Sequence, residues 1–151
     1  MKTTRAEEGF TLIELLVAIA IVGVLASIGL PTYQSYRNRA KAAKVVTELK
    51  QFSSAFYVYY IDQNQFPADS NETIPLGMEG LLPPQFVQTT AIGGRYNWEG
   101  PDFYPYAGIS ITSNPDADLI VLVDSLFDDG SLLTGKFRQT PNGRPTFVIE
   151  E

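Results

Sequence analysis

The chain reads as two hydrophobic patterns in succession followed by short, punctuated segments. A polar stretch, Met1 to Gly9, gives way to an apolar run from Phe10 to Leu30, broken by one charge at Glu14. As a helix this run is about 31 Å long, enough to cross a bilayer core, and it is apolar all round rather than on one face. Gly23, Gly29 and Pro31 fall within or just after it. Proline removes one helical hydrogen bond and crowds the preceding turn, so a bend is predicted near Pro31. Beyond Arg37 the pattern narrows. Ala42, Val45, Val46, Leu49, Phe52, Ser53, Phe56, Tyr59 and Tyr60 recur at spacings of three and four, while Lys41, Lys44, Glu48 and Lys50 lie mostly off that stripe. One long helix from Phe10 to about Tyr60 is expected, its second half lying on a sheet. Pro67 ends it, with Asp62 and Asn64 suited to the exit turn.

The remaining pattern predicts an α+β domain with a small antiparallel sheet. Residues 69–94 read as a long loop punctuated by Pro75, Gly77, Gly80, Pro83 and Pro84, and a connection of that length is functional or contains a small helix. Strands are expected at 95–99, 107–112, 136–140 and 146–150, the last two joined across Pro141-Asn142-Gly143. Asn114-Pro115-Asp116 has the form of a helix start, with Asn114 as cap and Pro115 in the first position. Leu119, Leu122, Val123, Leu126 and Phe127 then keep helical spacing, and Gly130 ends the segment. Ile120, Val121 and Val123 are β-branched and favour a strand, but the spacing favours a helix.

Charge and chemistry narrow the function classes. The net charge is −6, and from Gln51 onward 13 acidic residues face 4 basic ones. An acidic domain lacks the basic footprint that nucleic acid requires. No cysteine and no histidine is present. Thiolate chemistry, disulfides, the commonest general base and the commonest metal ligand are therefore excluded, and no cofactor, metal site or catalytic activity is expected. The acids Asp124, Asp128 and Asp129 raise calcium as an alternative, but they match no calcium-loop spacing and are expected as surface carboxylates near a helix end. The aromatics Tyr96, Trp98, Phe103, Tyr104 and Tyr106 are expected in core and sheet packing rather than in a sugar-binding patch. The basic stretch Arg37 to Lys44 reads as a solvated helix face at the membrane boundary, open to anionic headgroups or acidic neighbours.

Three readings compete for the N-terminus. A cleaved secretory signal would use Val24-Leu-Ala26 as its cut site, but Glu14 interrupts its apolar core and the helical pattern runs far past it. A plain single-pass anchor leaves Gly9, Phe10 and Glu14 without a role. In the third reading, Gly9-Phe10-Thr11-Leu12-Ile13-Glu14, with Pro31 standing 21 residues past Phe10, resembles the signal of type IV prepilins and of the related type II secretion pseudopilins. Tyr60-Ile-Asp62-Gln-Asn-Gln-Phe66-Pro67 is similar to the end of the long helix in many pseudopilins. Asp128-Asp129-Gly130 through Gly135-Lys136-Phe137 is similar to the C-terminal part of some pseudopilin-like proteins.

The resemblance implies a leader at 1–9, a membrane-spanning and filament-core helix at 10–36, and a globular pilin-like domain at 37–151. It implies cleavage between Gly9 and Phe10, methylation of Phe10, and assembly through Glu14. The partners it implies are membrane lipid before assembly, a prepilin peptidase that also methylates, an assembly platform with its ATPase, and further copies in a helical filament. It places the precursor in the bacterial inner membrane, with the leader in the cytoplasm and the domain in the periplasm or outside. Counting basic residues near the span points the other way, because Arg37, Arg39, Lys41 and Lys44 follow its far end. The absence of cysteine and the stretch from Asp62 to Pro67 favour a pseudopilin over a surface pilus subunit for adhesion, motility or DNA uptake. The rival from another class is a secreted or membrane-tethered binding module.

Thr11-Leu-Ile-Glu14 also fits a capping box, in which Thr11 and Glu14 satisfy each other's backbone donors. That local role and a pairing of Glu14 with the freed amino group of Phe10 on a neighbouring subunit are compatible.

Overall fold

The computed structural model describes residues 10–151. The element order is α1 (Leu12–Gln63), a 3-10 turn (Pro84–Val87), β1 (Arg95–Glu99), β2 (Ala107–Thr112), α2 (Ala117–Phe127), β3 (Phe137–Gln139) and β4 (Pro145–Glu150). The chain divides into two compact units, one ending at Arg37 and one spanning Asn38–Glu151. In the first, the described residues belong to α1 and the two positions before it, and their apolar side chains are exposed throughout. The most apolar window of α1 has a mean hydropathy of 2.6 and none of it is buried.

The second unit is the expected α+β domain. The four strands form one antiparallel sheet in the order β1-β2-β4-β3. Alternation along the strands sends Tyr96, Trp98, Ile109, Ile111 and Phe147 into the apolar core together with the α1 stripe from Ala42 to Phe56. Phe56 stacks on Trp98 with ring centroids 3.7 Å apart, and Phe52 meets Tyr96 edge-on at 4.9 Å. The Trp98 indole N–H donates to the Pro67 carbonyl at 3.0 Å, tying the exit of α1 to β1. The Tyr96 hydroxyl donates to Glu48 at 2.7 Å. Burial, and then the Glu48 carboxylate, holds that phenol well above its usual range, so it stays a donor. Asn64 ends α1 with φ 55°, a left-handed position that asparagine tolerates.

The opposite face of the sheet is polar yet covered. Asn97, Glu99, Ser110 and Thr146 are buried, with Asn97 opposite Ser110 and Ser110 opposite Thr146 across the strands. The loop 69–94 supplies part of the cover: the Glu72 N–H donates to Asn97 Oδ1 at 2.9 Å, and Asp69 accepts from the Gly100 N–H at 3.2 Å. Glu99 accepts from Asn142 Nδ2 at 2.8 Å, Arg144 at 3.2 Å and the Tyr106 hydroxyl at 2.7 Å. A fully buried carboxylate is tolerated because it is paired and hydrogen-bonded at both oxygens.

Two details differ from expectation. The segment 117–127 is a helix, but its cap is Asp116, whose side chain accepts from the N–H groups of Asp118 and Leu119, rather than Asn114. Asn114 has φ 60°, a left-handed conformation, whereas a capping residue needs the extended one that Asp116 adopts. Among the aromatics, Tyr96, Trp98 and Tyr106 are buried and Tyr104 is half-buried, but Phe103 is 75% exposed at the tip of a turn.

Candidate functional site

The apolar segment of the first unit is the main candidate, because its large apolar side chains are exposed among the described residues. Gly9 lies outside the described residues; Phe10 is 86% exposed, and α1 begins two residues later. Glu14 sits in the first turn. Its Oε2 accepts from the Thr11 N–H at 2.8 Å and from the Thr11 hydroxyl at 2.8 Å, while the Glu14 N–H donates back to Thr11 Oγ1 at 3.3 Å. This is the reciprocal capping box that the residue spacing suggests, and it places the carboxylate at the positive end of the helix dipole. The Thr11 carbonyl also accepts the Leu15 N–H at 3.3 Å, so the helix is hydrogen-bonded from its first turn.

Around Pro31 the helix continues, with the proline inside α1. Proline has no N–H for the Ser27 carbonyl, and nearby hydroxyls add local bonds: Ser27 donates to the Val24 carbonyl at 2.7 Å and Thr32 to the Ile28 carbonyl at 3.1 Å. From Leu12 to Leu30 the large apolar side chains are exposed, with Ile13 at 69% and Ile28 at 68%. A continuous apolar surface of this length needs lipid or protein around it.

A second cluster lies where α2 runs out toward β3. Asp128 anchors the loop: its Oδ1 accepts from the Asp129 N–H at 2.8 Å, and its Oδ2 accepts from the N–H groups of Lys136 and Phe137 at 2.6 and 3.1 Å. Asp129 accepts from the Ser131 N–H at 2.9 Å and the Thr134 hydroxyl at 2.6 Å. Gly135, at φ 80°, passes so close to Asp128 that a Cβ there would overlap the carboxylate. The stretch Asp128-Asp129-Gly130…Gly135-Lys136-Phe137 is thus one folded unit, which explains its residue types.

Asp124 corrects the expectation of surface carboxylates. It is fully buried, on the inner face of α2 with Ile120 and Val123, and among the described residues no N–H or hydroxyl donates to either of its oxygens. Burial first, then the hydrogen bond it makes with Asp128 when protonated and the charges of Asp128 and Asp129, pushes its carboxyl up to about 7. Burial also raises Asp128, but Asp124 and the three backbone donors outweigh it and hold Asp128 below its ordinary value. The missed sign was periodic: Asp124 follows Ile120 by four and Val123 by one, on the stripe that faces inward.

Residues 4–30 match the prokaryotic N-terminal methylation motif. Among curated proteins, the chain is 41% identical over 86 residues to a fimbrial protein of Neisseria meningitidis serogroup A, covering 57% of this chain and 50% of that one. It is 42% identical over 64 residues to the type IV major pilin PilE of Neisseria gonorrhoeae, covering 42% and 38% respectively. It is also 31% identical over 100 residues to the type II secretion system core protein G of Escherichia coli K12, covering 66% and 64%. The chain thus spans 38% to 64% of the length of these relatives. Among solved structures, the major type IV pilin PilA1 of Clostridium difficile shares the fold, with a TM-score of 0.52 at 18% identity over 76% of this chain and 97% of that one.

Proposed function

Starting from a chain that is type IV pilin-like in its N-terminal motif and its fold, we propose that it is a structural subunit of a helical filament, made as an inner-membrane precursor. A prepilin peptidase cuts between Gly9 and Phe10 and methylates the new N-terminus. The span then leaves lipid for the filament core, driven by an assembly platform and its ATPase. The observation that carries this is the exposed apolar surface from Phe10 to Leu30, in which Glu14 is the single charge. In the precursor, lipid covers that surface. In the filament, copies of the same helix cover it, and Glu14 pairs with the amino group of Phe10 on a neighbour. Pro31 gives the helix a point at which to bend as it packs. The acidic domain stays outside the membrane, in the periplasm or at the cell surface.

Within this reading the subunit is a pseudopilin of a type II secretion system. The N-terminal helix serves both kinds of filament, so the part that discriminates is the globular domain. The similarity to core protein G runs over 100 residues, well past the length of α1. The surface pilus reading draws on the higher identity to the fimbrial protein over 86 residues.

Intact mass and N-terminal sequencing of the mature protein from cells test the filament reading. A start at Phe10 with one added methyl group is expected, and a start at Met1 or Ser27 refutes it. A deletion strain separates the destinations, since loss of secreted proteins marks the pseudopilin and loss of surface fibres marks the pilus.

A further inference from the structure

The turn between β3 and β4 carries the sole Asn-Gly pair of the chain, Asn142-Gly143. An asparagine followed by glycine is prone to cyclise, because glycine has no side chain to hinder attack by its own amide nitrogen on the asparagine side-chain carbonyl. Here a Cβ added to Gly143 would meet nothing, and both residues are exposed. Sterically the pair is free to react.

Hydrogen bonds hold it back instead. The Gly143 N–H, whose nitrogen is the nucleophile, donates to the Thr140 carbonyl at 2.8 Å. Both ends of the Asn142 amide are also held. Its Oδ1 accepts from the Thr140 hydroxyl at 2.8 Å and from the Arg144 N–H at 3.0 Å, and its Nδ2 donates to Glu99 Oε1 at 2.8 Å. Nucleophile and target carbon are therefore fixed by separate partners while the turn is closed. The strand that leads into the turn is weakly secured. β3 has 3 residues and lies at the edge of the sheet, paired with β4 alone. Short edge strands and exposed turn tips belong to the part of a fold that opens first.

We propose that Asn142-Gly143 is a site of self-modification, reached when the β3–β4 turn opens, whose product no longer fits the buried network around Glu99. In the open turn the Gly143 amide nitrogen bonds to Cγ of Asn142, the Cγ–Nδ2 bond breaks, and ammonia leaves with the proton of the Gly143 N–H. Water then opens the cyclic imide at either carbonyl, leaving aspartate or isoaspartate at position 142. No electrons are exchanged, and water is the sole co-reactant. Aspartate sets a charged acceptor where Nδ2 now donates to the fully buried Glu99, with Arg144 as the cation paired there. Two like charges so close, with one donor lost, disfavour reclosure. Isoaspartate adds a methylene to the main chain and breaks the spacing of the bond from Gly143 to Thr140. Each opening of the turn thus risks a change that closing does not reverse.

The test incubates the full chain in detergent micelles at one mildly alkaline pH, with its domain folded in buffer or unfolded in concentrated urea. Peptide mapping by mass spectrometry follows the gain in mass at Asn142 as amide becomes acid; isomerisation at Asp129-Gly130 proceeds without that gain and is not counted. The folded chain should react at least about tenfold more slowly, since only its open fraction reacts. Thr140→Val, which removes the hydroxyl from Asn142 Oδ1, should raise the folded rate several-fold and leave the unfolded rate unchanged. Asn142→Asp should melt about 5–10 °C lower than the unmodified chain. Should that variant not fold, wild-type chain partly converted in urea and returned to buffer replaces it, and its modified molecules should collect in the protease-sensitive fraction. Equal rates in folded and unfolded chain, no reaction in urea, or an unchanged folded rate in Thr140→Val overturns the proposal. So does wild-type melting in Asn142→Asp, or modified chain that resists protease as well as unmodified chain does.

Discussion

Replacing Glu14 by glutamine separates the two roles that one carboxylate can hold. Within a single chain, Glu14 closes a capping box through bonds of 2.8, 2.8 and 3.3 Å with Thr11. Glutamine is the other residue that this box accepts, because its amide oxygen can take the same Thr11 N–H and hydroxyl. The local cost is therefore below the roughly 1 kcal/mol that a cap contributes. The proposed intersubunit role is different in size. Glutamine cannot neutralise the amino group of Phe10 on a neighbour, and removing one partner of a buried ion pair costs about 3–5 kcal/mol. That is about 10²- to 10⁴-fold per interface at 1.4 kcal/mol per tenfold, and it recurs along the filament.

The assay compares filaments with processed monomer in the same cells. Sheared or extracted filaments are quantified by pelleting and electron microscopy, while membrane fractionation and intact mass establish that the variant is inserted, cut and methylated. The expected result is normal processing with few or no filaments. Glu14→Ala, which loses the cap as well, should look no worse in assembly than glutamine, because the pair dominates. Wild-type filament levels in Glu14→Gln, together with a defect confined to Glu14→Ala, would show that the carboxylate acts only as a cap and would refute the pairing.

Other consequences concern the domain. Phe56→Ala removes the ring stacked 3.7 Å from Trp98 in a fully buried position; a loss of about 3–5 kcal/mol is expected, read as a fall of about 12–20 °C in melting temperature. Gly135→Ala adds a left-handed strain of about 1–2 kcal/mol to an overlap with Asp128 that disturbs its bonds from Lys136 and Phe137. Gly143→Ala, at φ 82° with open space around it, should carry the strain alone, so equal urea midpoints for the two variants would refute the overlap. Glu72 accepts from the hydroxyls of Thr112 and Ser113 at 2.5 and 2.8 Å, and chiefly these bonds hold its carboxyl below the usual range. A depressed folded-state value stabilises the domain above the ordinary glutamate pKa, and the contribution is lost as pH falls through the lowered one. Urea midpoints at about pH 7 and about pH 3 should accordingly converge in Glu72→Gln relative to the unmodified chain.

What could be read from the sequence divides along physical lines. The segment Phe10–Leu30 needed no partner to be recognised, because membrane compatibility is a property of consecutive residues. Strands β1 and β2 have their expected bounds, since alternation over Arg95–Glu99 and Ala107–Thr112 follows from one face meeting α1. Helix α2 was legible against its β-branched residues because packing at spacings of three and four outweighs a propensity difference of tenths of a kcal/mol. Its cap was not, because the left-handed turn at Ser113 and Asn114 moves the start to Asp116. The buried polar face around Glu99 was out of reach, since its partners Asn142 and Arg144 lie more than forty residues away.

Asp124 belongs to the same class: its helical position predicts that it faces inward, but nothing local says that its oxygens find no donor. Asp124 and Glu14 then part ways. Burial and the neighbouring Asp128 and Asp129 raise the Asp124 carboxyl to about 7, so a proton shed to or taken from water relieves it within the chain. Glu14 keeps its charge in an apolar segment with only its Thr11 cap beside it, which points to compensation from outside the chain, by the amino terminus of a neighbouring subunit.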